Sequence, residues 1–339
     1  MNGDLKQLLI ELAGFERAER MFELLTVDQR VATGGPLQSD SRFSQTQLAQ
    51  ALNMLLFEDL LQRVPEAETY VNEKHSRHQK VQFDHGALRT VRLPMQSLPP
   101  GKEAFSRIFE ALGYVQSGTY PLDRLKMCGF VYTHREFPET IAQYFVSELY
   151  PEQFSERFQQ AASDLLWSSR DPLDADCKAI LTRLKQDGYL KRGESLKLLA
   201  ILPLCFARQH DIPSVDQYRL FMDESAEMAW IATEGNAFNH ATDRVEDLDT
   251  LVEQERGKGR PMKPKIEVGK HANIRQTAYR ASVVEREFRQ QEGIVTRQVP
   301  GSFFEFIERG PLQDSPSRPG QLDLRFDSQN AQGIFTMTR

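Results

Sequence analysis

Residues 80–93 read KVQFDHGALRTVRL. The run alternates, so Val81, Phe83, His85, Ala87, Arg89 and Val91 share one face of a β-strand. The next stretch, PPGKEAFSRIFEALGY (99–114), places Phe105, Ile108, Phe109 and Leu112 at helical spacing, with Gly113 as a stop. Three strand-like runs follow, YVQSGTYPL (114–122), LKMCGFVYTH (125–134) and TIAQYFVSEL (140–149). The order is β-α-β-β-β. It returns near the C-terminus as NAFNHATDRV (236–245), an amphipathic VEDLDTLVEQERGKG (245–259), PKIEVG (264–269), ANIRQTAYRAS (272–282) and SFFEFIERG (302–310), with VVEREFRQQEG (283–293) between the last two. Both blocks open on a strand carrying His-x3-Arg, at His85–Arg89 and His240–Arg244, which points to an internal duplication.

Helical periodicity surrounds these blocks. Leu5, Leu8, Leu9, Leu12 and Phe15 mark one helix, and Leu48, Leu52, Leu55, Leu56 and Leu60 another that ends before Pro65. Residues 151–230 read as helices throughout. The expected organisation is an N-terminal helical segment (1–80), a first βαβββ module (81–150), a helical block (151–232), a second module (233–310) and a tail rich in Pro, Gly, Ser, Asp and Asn (311–339). The expected class is α+β, with two modules forming a curved sheet or cup.

The 339-residue chain carries 42 Lys and Arg against 48 Asp and Glu, a net charge of −6. Mild acidity argues against nucleic acid or an anionic membrane as partner. No apolar run approaches the roughly 18 residues that span a bilayer. The N-terminus reads as a helix rather than a leader, and three cysteines without a CxxC pair suit a reducing cytosol. Oligomeric state is left open.

Of seven histidines, His85 and His240 alone sit on the opening strands of the repeated block. Taken singly, each is more simply a core histidine. Glu305 lies in the middle of the apolar strand FFEFIERG, where an unpaired carboxylate is costly. It needs a cation, or else a salt bridge to Arg244 or Arg275. Glu308 faces the opposite side, toward solvent or Arg309. Two histidines and one carboxylate are the ligand set of non-haem Fe(II) oxygenases and leave open positions for substrate and O2. His75 and His78 lie in a charged stretch that reads as a solvated loop or helix end, and the basic run Arg256–Lys265 as a solvated hinge.

FFEFIERG is similar to the last strand of 4-hydroxyphenylpyruvate dioxygenase, a vicinal-oxygen-chelate enzyme. DHGALRT (84–90), TIAQYFVSEL, RQTAYRA (275–281) and the final E-x-x-x-R-G more closely resemble the 2-oxoadipate dioxygenase/decarboxylase family, over about residues 1–310. The resemblance implies Fe(II) held by His85, His240 and Glu305. It implies Arg89 as the catalytic side chain that binds substrate carboxylate, and Gln276 and Thr277 as pocket residues. The implied reaction joins a 2-oxo dicarboxylic acid with O2 to give a 2-hydroxy acid and CO2. Two alternatives stand beside it: an isomerase or lyase on the same scaffold that needs no O2, and a non-catalytic protein whose helical block binds a partner.

Overall fold

The computed structural model describes residues 4–33, 42–269, 273–312 and 320–327. Helix α1 (Leu5–Ala13) is capped by Asp4, and Gly14, at φ +89°, turns the chain into α2 (Phe15–Leu24). Phe15 therefore opens a second helix and is 62% exposed, instead of extending the apolar face of the first. After α3 (Gln29–Thr33) and β1 (Arg42–Ser44), a Ser44–Gln47 capping box starts α4 (Gln45–Arg63), which is buried along most of its length. Pro65 opens α5 (Pro65–Ser76), a position where a missing N–H costs nothing.

The first module is β2 (Phe83–Val91), α6 (Glu103–Ala111), β3 (Tyr114–Leu122), β4 (Met127–His134) and β5 (Gln143–Leu149). Helices α7 (Glu156–Leu166) and α8 (Ala175–Asp187) follow. Strand β6 (Tyr189–Lys191) pairs with β1 and leads into α9 (Arg192–Ile201), α10 (Val215–Glu224) and α11 (Ala226–Glu234). The second module is β7 (Phe238–Arg244), α12 (Leu248–Gly257), β8 (Glu267–Val268), β9 (Ile274–Ala278) and, after an inserted ribbon of β10 (Val283–Gln290) and β11 (Gly293–Pro300), β12 (Phe303–Arg309). The sequence pattern did not announce that ribbon. Its faces are exposed except where Phe288 and Val299 pack on Val215, so it lacks a long apolar stripe.

Eight strands form one curled sheet in the order β3-β4-β5-β2-β7-β12-β9-β8. In each half the opening strand lies at the centre, parallel to the last strand of its own module. The two opening strands, β2 and β7, pair antiparallel across the middle. The halves thus match strand for strand, which is the duplication read from the two His-x3-Arg segments.

One face of the sheet presents Leu88, Val146, Ala241, Phe304 and Phe306 to α4, α5 and α6, in a core shared with Phe57, Tyr70 and Phe109. A second core joins α7, α10 and α11 to the ends of β2, β3 and β5 through Val91, Leu122, Leu149, Phe158 and Trp230. The other face of the central strands carries the polar groups described next. Among the described residues no helix is long and apolar enough to cross a membrane, and Cys128, Cys177 and Cys205 carry free thiols. The basic run before β8 is not a solvated hinge. Arg260 pairs with Glu73 and Glu255, and Lys263 is buried against Glu267, so the segment is pinned by carboxylates.

Candidate metal centre

Strand register brings the distant residues together. His85 on β2 lies opposite Thr242 on β7, and Thr242 lies opposite Glu305 on β12. His240 sits two residues back on β7, on the same face, between Ala87 and Phe303. His85 Nε2 is 3.2 Å and His240 Nε2 3.0 Å from the same oxygen, Glu305 Oε2. One ligand atom from each of the three residues lies within 4.8 Å of the others, and all three residues are buried. The other carboxylate oxygen, Glu305 Oε1, has no hydrogen-bond partner among the described residues.

The arginines that offered a salt bridge are engaged elsewhere. Arg275 pairs with Asp249 and Glu308, and Arg244 donates to the carbonyl of Glu139. Glu308 accepts from the backbone N–H of Leu248 as well as from Arg275, so its partner is not Arg309. Two imidazole nitrogens and an anionic oxygen, buried and converging, are a donor set that could hold a divalent cation.

A second layer orients these groups. The β2–β7 register slips between Phe83 and His85, leaving Asp84 as a bulged extra residue. Neighbours on a regular strand point to opposite faces, yet the bulge lets the Asp84 carboxylate reach His85 Nδ1 at 2.8 Å. That hydrogen bond turns Nε2 toward Glu305 Oε2 and the Thr242 hydroxyl, 3.1 Å away, the usual arrangement behind a metal-bound histidine. Arg309 clamps Asp84 in turn, at 2.9 Å from each carboxylate oxygen. The Thr242 hydroxyl donates to Glu305 Oε2 at 2.8 Å. His240 has no such helper among the described residues, where its Nδ1 is unpartnered and its ring lies 4.8 Å from that of Phe303.

Burial pushes the carboxyls of Asp84 and Glu305 up, but Arg309 beside the first and His240 beside the second hold both well below the ordinary range. Burial lowers both imidazoles. For His85 the hydrogen bonds to Asp84 and Glu305 outweigh it and the pKa is raised, whereas for His240 burial prevails and the pKa is lowered.

These groups open on a cavity of about 390 Å³, its mouth to solvent included, bounded also by Ser147, Asn239, Gln276 and Phe326. Gln276 is where the sequence placed it. Thr277 is not on this wall: it follows Gln276 on β9, so strand alternation turns it to the opposite face, opposite Phe306, where its hydroxyl donates to the carbonyl of Lys265. Arg89 lies on the cavity face of β2, two residues beyond Ala87, but behind the wall. It is fully buried, with its guanidinium 4.9 Å from the Trp230 ring, and its charge helps to lower the pKa of His240. The sequence reading missed Asp84, Asn239 and Thr242. Their signal was adjacency, since Asp84 and Asn239 each precede a histidine and Thr242 follows one at period two. Phe326 and Asp327, also on the wall, come from the tail and carried no signal.

The duplication explains why the cluster has three members. Glu305 pairs with Thr242, and in the other half Phe145 pairs with Ala87, the counterpart of Thr242. A fourth carboxylate would stand at Phe145, where an apolar ring lines the cavity.

Residues 47–320 match the sequence profile of a family described as 2-oxoadipate dioxygenase/decarboxylase. No curated protein matches the chain. A glyoxalase-superfamily protein from Ralstonia eutropha JMP134 is 44% identical and superposes with a TM-score of 0.89, over 96% of this chain and 99% of that one. The hydroxyglutarate synthase of Oryza sativa, solved in complex with 2-oxoadipate, is 18% identical with a TM-score of 0.68, over 91% of this chain and 98% of that one. The hydroxyglutarate synthase of Pseudomonas putida, also solved with 2-oxoadipate, is 16% identical with a TM-score of 0.56, over 99% of this chain and 73% of that one. The last two likenesses concern the fold. With its own profile match running through both modules and the helices between them, the chain belongs to the 2-oxoadipate dioxygenase/decarboxylase family.

Proposed function

We propose that the protein is an Fe(II)-dependent dioxygenase/decarboxylase that converts a 2-oxo dicarboxylic acid of the 2-oxoadipate type, with O2, to a 2-hydroxy acid and CO2. The observation that carries this reading is the convergence of His85, His240 and Glu305 with an apolar ring at the fourth symmetric position. Three protein ligands leave about three positions open, which a chelating 2-oxo acid and O2 together require. When bound, Fe(II) supplies the O2 chemistry and the Lewis acidity that decarboxylation of a 2-oxo acid demands.

The chain's own residues bind, orient and shield. Asp84 holds the His85 ring in the tautomer that presents Nε2, and Thr242 fixes the rotamer of Glu305. Arg89 stands on the same strand face, behind the wall, and we assign it to the far carboxylate of the substrate as the buried positive charge toward which that end is drawn. Gln276 offers an amide to the substrate from the second module. Ala87, Phe145 and Phe326 keep the cavity apolar and limit water near the reacting carbon.

The test is O2 consumption by Fe(II)-loaded protein given 2-oxoadipate, with CO2 and 2-hydroxyglutarate measured as products. Turnover is expected in the wild type and a loss of at least a thousandfold in His85→Ala and Glu305→Ala. Iron-loaded wild type that consumes no O2 with any 2-oxo acid would overturn the assignment.

A further inference from the structure

Arg309, the last residue of β12, reaches two structures at once. Its side chain is fully buried. Nε donates to both oxygens of Asp84, at 3.1 and 2.9 Å, and Nη2 adds a third bond at 2.9 Å. Nη1 points the other way and donates to the backbone carbonyls of Asp323 and Arg325, each at 2.8 Å. The guanidinium carbon lies 5.1 Å from the centre of the Phe326 ring, and that ring meets His85 edge-on at 4.8 Å. Phe326 and Asp327 then form part of the cavity wall beside the three candidate ligands.

We propose that Arg309 is a positioning residue that couples cation binding to closure of residues 320–327. It holds Asp84 against His85, and the same guanidinium holds this segment across the cavity. The proposal rests on the metal-centre reading above. Other hydrogen bonds tie the segment to Gly310, Leu312, Asn273, Glu139, Tyr120 and Gln143, and of these only Glu139 leads back toward Asp84, through Arg244, which holds the Glu139 carbonyl and stands 3.7 Å from the Asp84 carboxylate. Among the described residues Arg309 is the one side chain that hydrogen-bonds both Asp84 and the backbone of this segment, and it acts beside the edge-on contact of Phe326 with His85. Guanidinium geometry is essential to it: donors along different edges of one planar group serve a carboxylate and two carbonyls together, which the compact ammonium of lysine does not. Coupling of this kind is reciprocal, so a bound cation slows opening of the segment and a closed segment tightens the cation.

The experiment combines hydrogen–deuterium exchange of the 320–327 peptide with Mn(II) titration followed by calorimetry. Arg309→Lys keeps a positive charge beside Asp84, which protects the fold, and Asp84→Asn is nearly isosteric. Without metal, exchange in the segment is expected to be at least tenfold faster in Arg309→Lys than in the wild type. Mn(II) is expected to slow that exchange in the wild type and to leave it unchanged in Arg309→Lys. Each variant should weaken Mn(II) tenfold to a hundredfold, and the double variant should be no weaker than the worse single one, because both act through His85. Unchanged exchange in Arg309→Lys, or losses of affinity that multiply in the double variant, would overturn the coupling. A wild type that binds no Mn(II), Fe(II) or Zn(II) would instead remove the metal centre, while the metal-free exchange comparison still decides whether Arg309 holds the segment.

Discussion

At the scale of single residues, the centre is held unevenly. His85 is braced by a carboxylate and an arginine behind it, Glu305 by a threonine, and His240 by packing alone. Thr242→Val removes the hydroxyl while keeping the volume, and should weaken divalent-cation binding tenfold to a hundredfold without unfolding the protein, as read by Mn(II) calorimetry. His134 gives a separate prediction. Burial, with Arg135 nearby, pushes its pKa down to about 4, and its Nδ1 accepts from the N–H of Phe137. The folded form stays neutral where the unfolded chain, with an ordinary pKa near 6.5, takes up a proton. Stability is therefore full above pH 6.5 and falls as pH drops toward 4, by up to about 3 kcal/mol from this group. Urea midpoints at pH 7 and pH 5 should differ less in His134→Phe than in the wild type; equal differences would refute the assignment.

At the scale of elements, the strands were legible where one face met helices and the other met a cavity. Alternation in 80–93 and the apolar run around Glu305 were enough to place β2 and β12. The bulge at Asp84 was not legible, because a register slip depends on the partner strand and not on local sequence. The ribbon β10–β11 was missed for want of an apolar stripe, and Thr277 was misplaced because a strand's phase decides which of two neighbours faces the site. Gly86 shows how tightly β2 is fitted. A Cβ there would stand 2.4 Å from the Phe238 ring, on the strand next to β2. Gly86→Ala should destabilise the protein by about 1–3 kcal/mol through overpacking, seen as a lower midpoint in urea. A midpoint unchanged within error would show that Phe238 can move aside.

At the scale of the molecule, two similar halves have diverged at one decisive place. The sequence exposed the duplication through two short His-x3-Arg segments, and the sheet order extends it to every strand of the large sheet. The Arg of the second segment, Arg244, does not mirror the proposed role of Arg89, since it binds the Glu139 carbonyl. Phe145 stands where symmetry would put a partner for Glu305. Phe145→Glu should raise Zn(II) affinity at least tenfold and, under the proposed function, abolish turnover by filling an open position. Unaltered Zn(II) affinity would show that the two sites are related by topology and not by geometry.

The central pairing of β2 with β7 has a consequence for synthesis. His85 emerges early, His240 follows 155 positions later, and Glu305 arrives another 65 after that, on the final strand of the sheet. Such a seam forms only after a long loop has closed. A chain still being made therefore carries first one and then two imidazoles apart from their carboxylate, and the three candidate ligands meet only after β12 has been made and has docked on β7.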